Sequence, residues 1–442
     1  MKKNVLLLVL TLLPVVANAD PVKIDGISYN LDTENKVAEV TVSDNWEGYT
    51  GDIMIPDTVE FDEVAYRVTS IGFTAFRWSG KLSSVTLPNT ITYIGEGAFA
   101  YCSSLTSIII PDAVTSIEAQ TFQGCSSLTS VEMGTSVLSI KDRAFDGCKS
   151  LASIEIPESV TTIGSGAFDR CSSLVTVSIP NSVTEIQYDA FQYCTGLTTV
   201  TLSEKLETIS RGLFIGCSSL TTVNIPSSVK TIEPTAFYLC RSLTSIIIPD
   251  GVTTIGNQAF EYCDNLASIT IPQSVSSIGA SSFRNCPELA AVMVDAANPI
   301  YDSRDNCNAI IETATNKLIA GCMSTTIPSD IKMIGAYAFA GSKLTAASIP
   351  SSVDSIAPRA FQSCPLLASV QVEEGNRKYD SREGCNAIIE TATNTLLYGC
   401  LNTIIPSSVS SVYDYAFFGS KVSTVNIPEG VLSIGKGLSE SA

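Results

Sequence analysis

The cysteines have the widest chemical repertoire in this sequence, since a thiolate can act as a nucleophile, a metal ligand or half of a disulfide. The 442-residue chain carries 14 cysteines and no histidine. Without histidine, neither a Ser-His-Asp nor a Cys-His nucleophile system is available, and no imidazole can bind a metal. A metal-thiolate site needs C-x2-C-type spacing, whereas no two cysteines here are closer than 15 positions. We therefore predict no metal, no cofactor and no cysteine-based catalysis.

The carboxylates offer two further kinds of chemistry, calcium binding and glycoside hydrolysis. Neither of two related acidic clusters contains the D-x-D-x-D-G loop typical of calcium sites. A pair of carboxylates suffices for glycoside hydrolysis without histidine, but these acids occupy variable positions at which we expect solvent rather than a pocket. We predict that the chain is not an enzyme. The clusters are Asp295, Asp302 and Asp305, and Glu373, Asp380 and Glu383.

Nine cysteines recur at a fixed interval of 23 residues, which indicates one shared structural role. Because nine is odd, full mutual pairing is excluded, and stacked neighbours about 5 Å apart have side-chain directions that are poor for bridging. Serine fills the same position at Ser79, Ser342 and Ser420, which is typical of a small buried filler. The nine are Cys102, Cys125, Cys148, Cys171, Cys194, Cys217, Cys240, Cys263 and Cys286.

Most of the chain follows the same period. Phenylalanine recurs every 23 residues from Phe76 to Phe283, and one unit reads L-T-S-I-x-I-P-x-S-V-T-S-I-G-x-x-A-F-x-x-C-S-S. The L-x-x-I-x-I part ends in strand-like alternation, which the proline terminates. The V-x-x-I part predicts a shorter extended segment, and I-G-x-x-A-F-x-x-C predicts a tight turn or one short helical turn. One coil cannot bury these apolar residues alone, so the coils must stack into a solenoid.

This unit resembles the BspA-type leucine-rich repeats of secreted and surface bacterial proteins, over nearly the whole chain after the first nineteen residues. The resemblance implies a β-rich solenoid, a right-handed leucine-rich-repeat superhelix of 23-residue coils with short helical turns and a parallel sheet on one face. It also implies a secreted or surface protein, with adhesion to host proteins known for some members.

Two inserts interrupt the array, where the interval between successive phenylalanines grows to 56 residues. The inserts resemble each other, with Asn298 to Cys322 matching Asn376 to Cys400. In each, apolar segments flank a turn with the sequence T-A-T-N. We therefore predict two β-hairpin inserts that extend off one edge of the solenoid.

The hairpins hold four cysteines outside the regular phase. Cys307 and Cys322 are 15 residues apart, and so are Cys385 and Cys400. With the T-A-T-N turn at the centre of the hairpin, Cys307 faces Cys322 across it. Disulfides are typical of exported proteins. The spacing allows two bridges, one between Cys307 and Cys322 and one between Cys385 and Cys400. The alternative is that the four thiols pack without pairing.

The first nineteen residues have the pattern of an export signal. Lys2 and Lys3 precede an apolar run, and Ala17-Asn18-Ala19 forms an A-x-A cleavage motif. The run is too short for a membrane span, so we predict export without membrane insertion. The predicted organisation is a signal peptide (1–19), an N-terminal β cap (20–64), regular repeats (65–294), a hairpin insert (295–323), repeats (324–372), a second hairpin insert (373–401) and final repeats that end mid-repeat (402–442).

The outward strand positions form the predicted working surface. One outward column is nearly always serine or threonine, whereas the other varies strongly. A solvated β surface with strand-forming serine and threonine is the alternative, but apolar residues at such positions favour binding. Tyr101, Tyr193 and Tyr262 share another phase and form a weaker contact stripe. The candidate binding residues are Ile109, Glu132, Glu155, Thr201, Asn224, Ile247, Thr270 and Met293.

The net charge of −18 argues against nucleic acid and anionic membranes as partners. We expect protein–protein interaction, in the form of adhesion to host or neighbouring-cell surface proteins, from a secreted, cell-surface or periplasmic location. Glycan binding and a passive scaffold are the alternatives. Clustered tyrosine with Asn or Asp at one place would favour glycan, whereas variable positions scattered along many coils favour protein. Trp46 and Trp78 serve either a ligand contact or cap packing. The ligand and the oligomeric state stay open.

Overall fold

The computed structural model describes residues 20–44 and 48–437, which form a β-solenoid of about 16 coils. The predicted signal peptide, Trp46 and residues 438–442 lie outside the described residues. Successive coils stack in register, so that each position of the repeat lies on its counterpart in the next coil. Ser116 pairs with Ser139, for example, and Ile117 with Ile140. The predicted solenoid of 23-residue coils is therefore confirmed.

A five-stranded N-terminal sheet is continuous with this array. Most of its strands pair antiparallel, whereas Val64–Ile71 pairs in parallel with Tyr93–Ile94 in the repeats. The ring of Tyr49 lies 4.6 Å from that of Phe76 and begins an aromatic stack. In spatial order the strands are Val22–Ile24, Ile27–Asp32, Val37–Val40, Val64–Ile71 and Thr58–Phe61.

We call the strands from the L-x-x-I-x-I part of the repeat the first column. Inward and outward residues alternate along them as predicted, since Thr176 and Ser178 are exposed and Val177 between them is buried. Its strands are Thr50–Met54, Lys81–Thr86, Ser107–Ile109, Ser130–Glu132, Thr176–Ser178, Thr199–Thr201, Thr222–Asn224, Ser245–Ile247, Ser268–Ile271, Ala291–Val294, Ala346–Ile349 and Ser369–Val372.

The V-x-x-I part of the repeat forms a second column of two-residue strands, as the sequence predicted. They pair in parallel from coil to coil. The strands are Tyr93–Ile94, Ser116–Ile117, Ser139–Ile140, Thr162–Ile163, Glu185–Ile186, Thr208–Ile209, Thr231–Ile232, Thr254–Ile255, Ser277–Ile278, Met333–Ile334, Ser355–Ile356, Ser411–Val412 and Ser433–Ile434.

Tight turns close each regular coil, so the helical alternative is not adopted there. The backbone N–H of Phe99 donates to Thr121 of the next coil at 2.9 Å, and such bonds join the turns of adjacent coils. The phenylalanine rings stack at 5.0–6.0 Å between centroids from Phe76 to Phe283. Within residues 20–44 and 48–437, the helices are two short 3₁₀ turns in the inserts, Arg304–Asn306 and Arg382–Gly384.

The cysteines of the regular coils do more than fill space. All nine are buried, and each thiol donates a hydrogen bond of 3.0–3.3 Å to the carbonyl of the phenylalanine 26 residues earlier, in the preceding coil. Cys171, for example, donates to Phe145 at 3.2 Å. Each phenylalanine carbonyl that accepts a thiol also accepts the backbone N–H three residues later in its own coil, as Phe145 accepts from Cys148 at 3.1 Å, so the thiol adds a second bond that joins adjacent coils. Serine at this position bonds differently: Ser420 Oγ donates to the Phe417 carbonyl of its own coil at 2.8 Å, and Ser342 Oγ accepts the Leu344 N–H at 3.1 Å.

The two insert hairpins do not extend off an edge, as the sequence led us to expect, but lie within the stack. Strand Lys317–Gly321 pairs in parallel with Met333–Ile334 of the second column. One hairpin face packs on the coils before it and the other on the coils after it, so that Ile310 and Ile311 belong to different core clusters. The two inserts thereby divide the core into three clusters. The insert strands are Tyr301–Asp302, Ala309–Glu312, Lys317–Gly321, Tyr379–Asp380, Ala387–Glu390 and Thr395–Gly399.

A β-bulge corrects the expected position of the hairpin cysteines. It lies after Ile310 and shifts the register by one residue. Asn308 rather than Cys307 therefore lies opposite Cys322, whose thiol donates to the Asn308 carbonyl at 3.4 Å. A one-residue slip turns side chains to the opposite face, and Cys307 and Cys322 accordingly lie in different core clusters.

The second insert repeats this geometry, since the Cys400 thiol donates to the Asn386 carbonyl at 3.1 Å. All four hairpin cysteines are buried free thiols in the structure. We therefore expect the denatured, unreduced protein to titrate fourteen free thiols, the same number as a reduced control. Mass spectrometry of unreduced peptides provides the independent check. A peptide linked through Cys307 and Cys322, or through Cys385 and Cys400, would contradict the bulged register.

Candidate functional site

All eight predicted binding residues are exposed on the outer side of the first column. The apolar members are the most informative, because Ile109 is 63 %, Ile247 79 % and Met293 50 % exposed. Their inward neighbours are buried, as Ile108 and Ile246 illustrate. The alternation read from the sequence therefore defines a surface in the structure, while the binding role of these residues stays a prediction.

The first column is not one continuous sheet. Coil 152–157 has no regular strand in this column and joins the next coil through one isolated bridge between Ser153 and Thr176. Glu155, predicted at a strand position, thus lies outside any regular strand. The correction has a local electrostatic cause, because strand pairing would place Glu155 beside Glu132, and like charges directly opposite each other destabilise a sheet. Pairing resumes at Thr176–Ser178 and continues to Ser245–Ile247.

A groove of about 640 Å³ opens at this break. It brings together two of the predicted binding residues, Glu132 and Glu155, with a third carboxylate from Glu158. The other six predicted residues lie along further coils of the face and do not line it. The apolar part of the lining is Val131, Met133 and Pro157.

A second cleft, of about 380 Å³, has a lining with several carboxylates and was missed by the sequence analysis. Burial raises the pKa of Asp169 to about 6 and also raises the pKa of Asp189. The Oδ2 atom of Asp169 accepts from Arg170 at 2.5 Å, whereas its buried Oδ1 atom has no hydrogen-bond partner. Asp142 also lines the cleft. No periodic signal marks it, because these aspartates occupy three different positions of the repeat unit.

A tyrosine-rich cleft beside the second insert is likewise not predicted by the repeat pattern. Two cavities of about 160 and 300 Å³ share Pro358, Tyr398 and Tyr413. Tyr413 is 48 % exposed, and the Arg359 guanidinium lies 5.1 Å from the ring centroid of Tyr415. Exposed aromatic faces with nearby polar groups are typical of small-ligand sites. The tyrosines that line the two cavities are Tyr379, Tyr398, Tyr413 and Tyr415.

The predicted tyrosine stripe is engaged in intramolecular contacts. Tyr101 stacks on Trp78 with 4.0 Å between ring centroids, although Trp78 is 64 % exposed. Tyr193 and Tyr262 each lie within 6 Å of an arginine guanidinium carbon. These contacts favour the packing interpretation of Trp78 and assign the stripe a structural role in addition to its exposure.

One acid of each insert cluster is paired with an arginine. Asp302 accepts from Arg304 at 2.6 Å, and Asp380 accepts from Arg382 at the same distance. The Arg382 hydrogen bonds hold the pKa of Asp380 below its usual value, although desolvation opposes this. Across residues 20–44 and 48–437, no group of three or more His, Cys, Asp or Glu side chains is arranged to hold a metal ion. In the same part of the chain, no helix has the length and apolar character to span a bilayer.

The repeat, the fold and the stacked rows of buried phenylalanines and cysteines together define a leucine-rich-repeat solenoid. The chain belongs to the BspA-type leucine-rich repeat family. The model of that family, a BspA type leucine rich repeat region, matches residues 69–198, 190–304, 306–395 and 397–438. Its members are generally surface proteins that act through protein interaction, and the family and fold are generally non-enzymatic.

Solved structures of two bacterial leucine-rich repeat proteins are similar to this chain. A leucine-rich repeat protein from Bacteroides ovatus ATCC 8483 is 24 % identical, with a TM-score of 0.54 over 94 % of this chain and 90 % of that chain. A leucine rich cell surface protein from Faecalibacterium prausnitzii A2-165 is 25 % identical over 96 % of both chains, with a TM-score of 0.44. The first similarity shows the fold alone. Among curated proteins, none is significantly similar to this chain in sequence.

Proposed function

We propose that the protein is exported and binds other proteins through the outer side of the first column, as an adhesin toward host or neighbouring-cell surface proteins. One observation carries the proposal: Ile109, Ile247 and Met293 are at least half exposed at positions where a solvated β surface would have polar groups. The signal-like pattern of residues 1–19 and the family's general role as surface proteins support export.

The spacing of the apolar residues fits a protein partner better than a small ligand. Ile109 and Ile247 lie six coils apart, which corresponds to about 30 Å at the spacing of paired strands. A standard protein interface covers about 800 Å² on each partner and therefore spans several coils. In such interfaces a few large side chains supply most of the binding energy. Single changes at the serine and threonine positions should accordingly matter little.

The test is a double substitution at the two isoleucines. After a screen of the full chain against extracellular proteins has identified a partner, Ile109→Asp with Ile247→Asp should weaken binding at least about tenfold. Circular dichroism and melting should stay near wild type, because both side chains point away from the core. Leu138→Asp is the matched control, since Leu138 is 52 % exposed but lies outside the first column. If the double variant binds the partner as tightly as the wild type does, the outer side of the first column is not the binding surface.

Glycan binding at the tyrosine-rich cleft is the second candidate. The observation that favours it is the meeting of four tyrosines in two joined cavities, with Asp414 and Glu390 as polar neighbours. A glycan panel tested with Tyr413→Ala distinguishes the two candidates, because this change leaves the first column intact. Glycan binding that Tyr413→Ala abolishes would favour the cleft. If the chain binds neither the screened extracellular proteins nor any glycan of the panel, a passive scaffold is favoured.

A further inference from the structure

The groove between Glu132 and Glu155 has an open backbone edge. In the preceding coil pair, the N–H of Ile110 donates to the carbonyl of Glu132 at 2.8 Å and so joins the two strands. The equivalent groups one coil later are the N–H of Met133 and the carbonyl of Glu155. These two groups are not bonded to each other, and in the described structure no backbone hydrogen bond joins their two strand segments. Met133 and Glu155 therefore present strand-like groups to the groove.

The sequence departs from the repeat where the sheet opens. Gly134 stands at a position that is proline in most coils. A Cβ atom at Gly134 would lie 2.6 Å from the carbonyl oxygen of Pro111 and 2.8 Å from the Cα of Asp112, so this coil lies close against the preceding one. Repulsion between Glu132 and Glu155 disfavours pairing of this coil with the next one.

The groove combines negative charge with an adaptable apolar lining. Glu132, Glu155 and Glu158 contribute three carboxylates, and none of the lining residues is basic. Met133 is only partly buried, whereas its counterpart Ile110 in the preceding coil is 2 % exposed. Methionine has a flexible, polarizable side chain that adapts to differently shaped apolar partners.

We propose that this groove binds an extended, lysine- or arginine-bearing segment of a partner protein, an inference that rests on the proposed function. Main-chain groups of the segment pair with the Met133 N–H and the Glu155 carbonyl, as in recognition by strand addition. Basic side chains of the segment face the three glutamates, and the alternate side chains contact Met133. A second copy of this chain fits the groove poorly, because each copy carries a net charge of −18.

The test measures binding of a labelled alternating Lys-Val peptide to the full chain by fluorescence anisotropy at low salt. Glu132→Lys with Glu155→Lys should weaken binding at least about tenfold. The matched control is Glu185→Lys with Glu204→Lys, which makes the same change in net charge at exposed glutamates outside the groove and should stay within about twofold. An N-methylated Lys-Val peptide keeps the charge but lacks main-chain donors, and it should also bind more weakly than its parent.

Three results would overturn the inference: equal binding of a Glu-Val peptide, unchanged affinity in the groove variant, or equal weakening by the control pair. Unchanged affinity for the N-methylated peptide would remove the main-chain pairing from it. Failure of the groove inference can be distinguished from failure of the proposed function. If the isoleucine double variant loses the screened partner while the groove variant binds the peptide and the partner normally, the outer face stands and the groove inference falls.

Discussion

The free energy of unfolding should fall steeply above about pH 8.5, because ten buried thiols keep their protons only in the folded state. Burial raises the pKa of Cys102, Cys286 and Cys364 to about 12 and raises the pKa of the other seven in-phase cysteines as well. In the unfolded chain a thiol has a pKa of about 8.5. Between these values the unfolded state releases protons that the folded state retains, so rising pH favours unfolding.

The expected magnitude is large because the thiols act together. Each one removes about 1.4 kcal/mol of stability per pH unit within this window, which amounts to about 14 kcal/mol per unit for ten. Folded domains are typically stable by about 5–15 kcal/mol. We therefore expect unfolding between about pH 9 and 10 under reducing conditions. Urea titrations followed by circular dichroism from pH 7 to 10.5 provide the measurement.

A serine variant is the control for this prediction. Cys171→Ser, Cys194→Ser and Cys217→Ser together keep a donor for the phenylalanine carbonyls but remove three titrating groups. Native serines already occupy this position at Ser79 and Ser342. The slope of stability against pH should fall by up to about three tenths, since Cys307, Cys385 and Cys400, whose pKa burial also raises, contribute to it in both proteins. A wild-type protein whose stability is flat to pH 10.5, or a triple variant with an unchanged slope, would contradict the thiol mechanism.

Replacing one ring of the phenylalanine stack should also be severely destabilising. Phe168 is fully buried, and the rings of Phe145 and Phe191 stack on its two sides at 5.3 and 5.2 Å. Phe168→Ala leaves a cavity between two rigidly spaced coils and removes both stacking contacts. We expect a loss of roughly 3–5 kcal/mol in the free energy of unfolding, measured by denaturant titration.

Ser178→Ala is the matched comparison, because Ser178 belongs to the same chain region but is exposed on the first column. Its expected cost is below about 0.5 kcal/mol. Equal losses at Phe168 and Ser178 would mean that inward and outward positions are not distinguished as the structure indicates.

The groove shows how departures from a repeat carry structural information. Gly134 is visible in the sequence as a departure from the proline position, and Glu132 and Glu155 were predicted as binding residues because they occupy the variable outward column. The opening of the sheet between their two coils depends on how closely each coil approaches its neighbours. That spacing is a property of the packed stack, so the exceptions indicate where to look but not what is formed there.

The sequence by itself determined which residues stack on one another. A strict 23-residue period requires identical positions to meet in adjacent coils, so the phenylalanine spine, the buried cysteines and the outward face from Ile109 to Met293 follow from the pattern. Only the tertiary structure decided the features that break this period. The bulge after Ile310 separates Cys307 from Cys322, because a one-residue change in backbone register leaves no trace in residue spacing. The tyrosine-rich cleft likewise combines different positions of the repeat, which meet only when an insert hairpin takes its place among the coils.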